Sequence, residues 1–261
     1  MRRIVFLAGA AAVVAGAAVW VSRSRGAASP GSPGVLPGRL GSWVNAYLDR
    51  PLHAVVARAL DLQPDDALLD VACGGGYFLT ESASHVGHVA GLDLSEPRVD
   101  LARRRLADRI AAGTAEVVQG EAGALPWEDG RFTTVSCMDA FPFFPEPERA
   151  LAEMGRVLRP GGRAVIDMNP KVPEGTESHL LRGPAGQVWV WSDADVRRMM
   201  ETAGFGDVAI TYARPGGDNR LGNYAVRQVF GTDEETIVTA VKPMPIRPAE
   251  DARAEEPVAV G

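Results

Sequence analysis

A short apolar strand that runs into three consecutive glycines constrains this chain more than any other feature. Leu68-Leu69-Asp70-Val71 predicts a buried strand, Gly74-Gly75-Gly76 follows it, and residues 76–86 predict a helix. Because glycine has no Cβ, such a turn brings bare backbone and a helix N-terminus close to a ligand. A second predicted strand ends at Asp93, an acid placed to accept both hydroxyls of a ribose. Together these features predict a nucleoside-binding site at the carboxyl edge of a parallel sheet.

The spacing of the glycines distinguishes between kinds of nucleotide site. A dinucleotide fingerprint needs a third glycine where Leu79 stands, and no Gly-Lys-Ser/Thr of a phosphate-binding loop occurs. The pattern present is Asp70-x-Ala72-x-Gly74-x-Gly76. It resembles motif I of the class I S-adenosylmethionine-dependent methyltransferases, with Ala72 in place of the first glycine. The plainer interpretations stay open at this stage: the glycines mark only a turn, and Asp70 only caps a helix.

The resemblance continues in order along the chain, over roughly residues 43 to 242. Its further segments are Gly120-Glu121-Ala122, Phe144-Pro145-Glu146-Pro147, Arg156 to Gly162, and Trp191 to Phe205. They are similar to the methyltransferases that act on small molecules and quinones. The resemblance implies an α/β fold: a Rossmann-like, seven-stranded, doubly wound sheet that is mostly parallel with an antiparallel last strand.

Alternating strand and helix patterns predict the same layered arrangement. Helices are predicted near 43–60, 76–86, 96–111, 147–158 and 192–203. Strands are predicted near 68–72, 89–93, 115–119, 132–138, 163–168, 207–213 and 235–241.

The resemblance also implies which residues hold S-adenosylmethionine. Asp70 would anchor the amino-acid end of the cofactor, and Asp93 would bind its ribose. Glu121 would meet the adenine. The full implied set of cofactor-binding residues is Asp70, Ala72, Cys73, Gly74, Gly76, Asp93, Leu94, Glu121, Ala122, Met138 and Asp139.

The catalytic residues are not predicted. Many relatives carry a histidine pair just before the Pro-Asp-Pro stretch, where this chain has Pro142-Phe143. Two interpretations stay open for each of two polar residues. His179 is either a general base or a residue without a catalytic role, and Glu121 is either an adenine contact or a solvated loop charge. The aromatic residues Phe141, Phe143 and Phe144 belong to the core or to a substrate pocket. Trp43 and Tyr47 pack the first helix or cover the site.

Composition excludes other classes of function. The net charge of −6 gives no electrostatic footprint for nucleic acid. The two cysteines, Cys73 and Cys137, lie in or beside predicted strands, where a buried, small apolar role is the simpler interpretation. The four histidines are scattered without the spacing of metal ligands, so no metal is predicted.

The two ends of the chain form separate predicted segments. Ile4 to Val21 is uncharged and, as a helix, would measure about 27 Å, close to the thickness of a bilayer core. We predict residues 1–25 as a membrane anchor, with a cleaved signal peptide or a misread start as alternatives. Residues 26–42 would be a flexible Gly/Pro/Ser linker, 43–242 the catalytic domain and 243–261 a disordered tail. The catalytic domain would then lie in the cytoplasm, tethered to the cell membrane.

The sequence therefore predicts S-adenosylmethionine-dependent methyl transfer to a small molecule, with an apolar acceptor among the options. A second hypothesis is a non-catalytic cofactor-binding module on the same fold. A third is a nicotinamide-dependent oxidoreductase, which Leu79 disfavours. The acceptor and the oligomeric state stay open.

Overall fold

The computed structural model describes residues 52–170, 172, 174–183, 186–214 and 234–245. The predicted anchor, the linker and most of the predicted tail lie outside these residues, as do Trp43 and Tyr47. Within the described ranges, no helix is both long and apolar enough to cross a membrane.

Helices and strands alternate through the first two thirds of the described chain. The helices are α1 (52–60), α2 (Tyr77–Ser82), α3 (Glu96–Arg105), α4 (Ala107–Ala111), α5 (Pro147–Val157) and α6 (Asp193–Thr202). The strands are β1 (Ala67–Val71), β2 (His88–Asp93), β3 (Ala115–Gln119), β4 (Phe132–Cys137), β5 (Leu158–Pro170), β6 (His179–Gly183), β7 (Gly186–Val190), β8 (Gly206–Ala213) and β9 (Glu235–Val241).

The main sheet has seven strands in the order β3-β2-β1-β4-β5-β9-β8. The pairs among β3, β2, β1, β4 and β5 are parallel, whereas β9 runs antiparallel to both β5 and β8. The predicted fold is confirmed, including the direction of the last strand. Strand order reverses between β1 and β4, and in open α/β sheets such a reversal opens a crevice at the carboxyl ends of the strands.

Alternating strand residues build one core on each face of the sheet. Leu68 packs with α1, α2 and α3, while the next residue, Leu69, packs with α5 and α6. The same alternation places Val165 and Ile166 on opposite faces. Burial on both faces explains why the sequences of the central strands are nearly continuous apolar runs.

Two features depart from the predicted elements. The predicted helix 96–111 is broken at Leu106 into α3 and α4. The segment between β5 and α6 contains an antiparallel hairpin, β6–β7, that was not predicted. Its second strand contacts the short 3-10 turn Phe141–Phe143, which follows the carboxyl end of β4.

Candidate active site

The glycine turn after β1 has the backbone that its sequence predicts. Ala72, Gly74 and Gly76 all have positive φ, at 63°, 55° and 73°. The Cys73 N–H donates to the Leu92 carbonyl at 2.9 Å, which ties the turn to β2. Positive φ costs glycine little, but it is strained at Ala72, a residue type that rarely adopts it.

Close packing explains two of the glycines near the turn. A Cβ on Gly76 would lie 2.8 Å from the Ala102 Cβ on α3, and one on Gly91 would lie 2.6 Å from the Leu79 Cδ1. Leu79 thus occupies the position of a third glycine because Gly91 on β2 leaves room for it. Helix and strand approach closely even though the dinucleotide fingerprint is absent.

Gly74 differs from these two glycines because a Cβ there would meet no protein atom within 4 Å. The space in front of this residue is therefore open. Its backbone N–H donates to the Asp93 Oδ2 at 2.8 Å. The turn and the acid at the end of β2 are consequently held together as one structural unit.

Asp93 is nearly buried and its carboxylate is fixed by backbone donors. Besides Gly74, the Ser95 N–H donates to Oδ1 at 2.9 Å. The Asp93 carbonyl accepts from the Gly120 N–H at 3.1 Å, which brings the segment of Glu121 and Ala122 alongside. Glu121 is exposed and Ala122 half-buried.

Leu94 is one of the few large apolar residues exposed in the described chain, at 57%. Its carbonyl accepts from the Gln119 side chain at 3.2 Å, so its backbone is anchored to β3. The side chain therefore offers an apolar surface immediately after the ribose acid predicted from the sequence.

Asp70 is almost completely buried, with 2% exposure. Burial raises its pKa from 3.8 to about 7, the Ser136 hydroxyl opposes that shift by donating at 2.7 Å, and the Asp93 charge adds to it. Within the described part of the chain, no cationic side chain pairs with Asp70. A buried carboxyl near its titration point, beside an open glycine turn, is suited to a cationic ligand group.

The end of β4 brings two more carboxyl groups to the same edge. Asp139 has a left-handed backbone, φ 51°, and its N–H donates to the fully buried Asp167 of β5 at 3.2 Å. Surrounding protein raises the pKa of Asp139, whereas a charge on His53 and a hydrogen bond with Asp167 act in the opposite direction. The Asp139 side chain is nonetheless exposed, so it lies in an open part of the crevice. Met138 is half-buried beside it.

An arginine on α3 braces the turn from outside. The Arg105 guanidinium lies 3.6 Å above the Tyr77 ring centroid and donates to the Gly75 carbonyl at 2.5 Å. A Cβ on Gly75 would lie 2.7 Å from the Arg105 Nη1. Gly75 therefore leaves room for this arginine, a role that spacing alone could not reveal.

Sequence reasoning missed His53 and its partner. His53, at the start of the described part of α1, is 8% exposed, and its Nδ1 lies 2.9 Å from the Glu81 Oε2 on α2. Its ring packs against Phe78, with 5.5 Å between centroids. The two polar residues are 28 positions apart, so no local motif joins them.

Burial bears on several alternatives that the sequence leaves open. Phe141 is fully buried in the core, and its ring centroid lies 5.6 Å from that of the half-buried Phe144. His179 is exposed on β6, where its Nδ1 bonds the Glu177 carbonyl. Cys73 and Cys137 are free and buried, and burial raises the pKa of both thiols. The simpler interpretation of the cysteines is confirmed.

Comparison with known proteins identifies this arrangement. A family described as "Methyltransferase domain" matches residues 69–166, which contain the glycine turn, Asp93 and the β4–β5 carboxyls. The demethylmenaquinone methyltransferase of Lactococcus lactis is 39% identical over 102 residues. Residues 69–166 thus match a methyltransferase domain.

The matched segment is only part of each curated protein. The alignment with the Lactococcus lactis enzyme covers 38% of this chain and 40% of the relative. Solved structures extend the likeness of the fold to most of the chain. The [4+2]-cyclase SpnF has a TM-score of 0.61 at 22% identity and covers 89% of this chain and 93% of its own.

A second solved structure of similar fold is a methyltransferase by name. It is the geranyl diphosphate C-methyltransferase of Streptomyces coelicolor A3(2), in complex with Mg2+, geranyl diphosphate and S-adenosyl-L-homocysteine. Its TM-score is 0.59 at 16% identity, with 75% of this chain and 79% of that chain covered. At these identities, both structural likenesses establish the fold alone.

Proposed function

We propose that this chain transfers the methyl group of S-adenosylmethionine to a small aromatic acceptor. Buried Asp70 beside the open glycine turn carries the proposal, because it provides a negative charge where the cofactor has a cationic amino-acid end. Asp93, with both oxygens fixed, is placed to accept the ribose hydroxyls. Leu94 offers its apolar side chain to the adenine, and the Glu121–Ala122 segment lies alongside.

Electrostatics favour this cofactor over a nicotinamide dinucleotide. This edge of the sheet contains the carboxyl groups of Asp70, Asp93, Asp139 and Asp167, and the Asp93 charge raises the pKa of Asp70. A dinucleotide would place an anionic pyrophosphate at this turn, next to those carboxyls. S-adenosylmethionine instead supplies a sulfonium-activated methyl group and a protonated amine, and the chain's residues need only position them.

The surroundings of the β4 end support an aromatic acceptor. Trp189 and Trp191 stack at 4.8 Å between ring centroids, and β7, which contains Trp189, contacts the turn that carries the half-buried Phe143. Stacked aromatic surfaces suit planar, apolar substrates. The relatives that act on demethylmenaquinone are consistent with such an acceptor.

The test is turnover. The full chain is incubated with S-adenosylmethionine and a panel of phenols, catechols and reduced 1,4-naphthoquinones, and S-adenosylhomocysteine release is measured. The proposal predicts release that depends on acceptor. Tight cofactor binding without turnover on any member would instead favour the non-catalytic module. The predicted anchor at Ile4 to Val21 remains a separate proposal, since it lies outside the described residues.

A further inference from the structure

The buried imidazole of His53 packs against α2, the helix that follows the glycine turn. The carbonyl of Leu60, the last residue of α1, accepts a hydrogen bond from the Arg163 Nε at 2.7 Å. Arg163 lies near the amino end of the part of β5 that pairs with β4. His53 is seven residues earlier, about 10 Å along the helix axis. Its contacts with Phe78 and Glu81 place it beside α2, which begins at the carboxyl edge of β1, and its charge acts on Asp139 at the end of β4.

The hydrogen bond to Glu81 specifies which imidazole nitrogen is available. An ionised carboxylate accepts only, so the Nδ1 atom, 2.9 Å from the Glu81 Oε2, must carry the proton of the neutral ring. The Nε2 atom is then an unprotonated acceptor. No described residue forms a hydrogen bond with it.

We propose that His53 is the general base that removes the proton of the methyl acceptor, with Glu81 as the residue that orients it. This inference rests on the proposed function and adds the group that sequence reasoning could not name. An oriented carboxylate–histidine pair of this kind is a recurring way to hold a base in one tautomer.

The proton step balances in charge and atoms. As the acceptor oxygen forms its bond to the methyl carbon, the methyl–sulfur bond breaks and its electron pair stays on sulfur. The acceptor O–H bond breaks, and its proton passes to the His53 Nε2. The imidazolium that results keeps its Nδ1 hydrogen bond to Glu81 on α2, and its charge acts on Asp139, whose N–H donates to Asp167 on β5. The ring then returns the proton to water.

The chain offers a matched control. His88 on β2 also contacts a glutamate, with 3.3 Å between its Nε2 and the Glu116 Oε1. His88 begins β2, and strand beginnings lie at the opposite edge of a parallel sheet from the crevice. His88→Gln therefore removes a similar histidine–glutamate pair without touching the proposed site.

The experiment compares His53→Gln, Glu81→Gln and His88→Gln with the wild type, using a catechol and the more acidic 4-nitrocatechol as acceptors. We expect His53→Gln to lower kcat by about 10²- to 10⁴-fold with catechol and much less with the nitro compound, because an acidic acceptor needs no base. S-adenosylhomocysteine affinity, measured by calorimetry, should stay within about twofold, and the ¹⁵N NMR signals of His53 should show the Nδ1–H tautomer. Glu81→Gln should weaken that tautomer preference.

Three results would overturn the assignment: an Nε2–H tautomer, equal loss of kcat with both acceptors, or loss of S-adenosylhomocysteine binding in His53→Gln. The last would make His53 a cofactor ligand. Failure of the wild type to methylate any acceptor, despite binding cofactor, would refute the proposed function itself. The NMR result would still decide whether the dyad exists.

Discussion

Titration of Asp70 should control the affinity for the cofactor. Its pKa of about 7 means that only about one tenth of the free chain has an ionised Asp70 at pH 6, against about nine tenths at pH 8. If only the ionised form binds the cationic amino-acid end, the apparent Kd rises by the inverse of that fraction. S-adenosylhomocysteine should therefore bind about tenfold more weakly at pH 6 than at pH 8.

Calorimetry across this pH range measures the effect, and two controls isolate it. Methylthioadenosine lacks the amino-acid end, so its affinity should not vary with pH. Ser136→Ala removes the hydroxyl that donates to Asp70 at 2.7 Å and lowers its pKa. In that variant the affinity curve should move to higher pH. A flat profile for S-adenosylhomocysteine in the wild type would refute the reasoning.

The raised pKa of Asp70 also predicts how stability depends on pH, in the opposite direction to the affinity for the cofactor. Because the folded-state pKa of Asp70 lies above its ordinary 3.8, the chain without cofactor loses stability as pH rises from about 4 through 7. At about 1.36 kcal/mol per unit, the upper limit of that loss is about 4 kcal/mol. Asp70→Asn should thus unfold at higher denaturant concentration than the wild type at pH 8, should match it near pH 4, and should bind S-adenosylhomocysteine poorly. Equal stability at pH 8 would show that Asp70 is not desolvated.

Three further predictions concern the turn, the ribose acid and the chain terminus. Asp93→Ala should weaken S-adenosylhomocysteine binding by about 10- to 150-fold in calorimetry, because two charge-assisted acceptors are lost; unchanged affinity would exclude the ribose role. Gly74→Val should abolish binding and lower stability through its strained positive φ, yet it should retain the circular dichroism spectrum, because the turn lies beyond the end of β1 and the new Cβ meets no protein atom. Gly76→Val should instead unfold the domain by collision with Ala102. A collapsed spectrum in Gly74→Val would make that glycine structural. Protease added to intact spheroplasts should spare the catalytic domain if Ile4 to Val21 is an anchor with its domain inside, and digestion from outside would contradict that placement.

Local sequence patterns were sufficient for the first half of the site. Strand, glycine turn and helix follow one another within about twenty residues, and the second strand ends at Asp93 by the same local logic. Their relative placement follows from parallel pairing, which aligns the ends of β1 and β2. The direction of β9 came from family resemblance, because the residue pattern of a single strand is the same in either direction.

The parts that sequence could not predict are contacts between distant positions. His53 and Glu81 lie on separate helices, and Asp139 and Asp167 meet only because β4 and β5 pair in register. The hairpin has two strands of five residues each, too short for a periodic pattern to be decisive. The local indication of the hairpin was the aromatic run that ends at Trp191. That run resembled the start of the next helix instead.

A crystal structure of the chain with S-adenosylhomocysteine tests the central claim most directly. The account predicts the amino-acid nitrogen within hydrogen-bonding distance of Asp70, the ribose hydroxyls on the Asp93 carboxylate, and the sulfur facing Met138 and Asp139. Ligand density at any other edge of the sheet, or a ribose that makes no contact with Asp93, would contradict it.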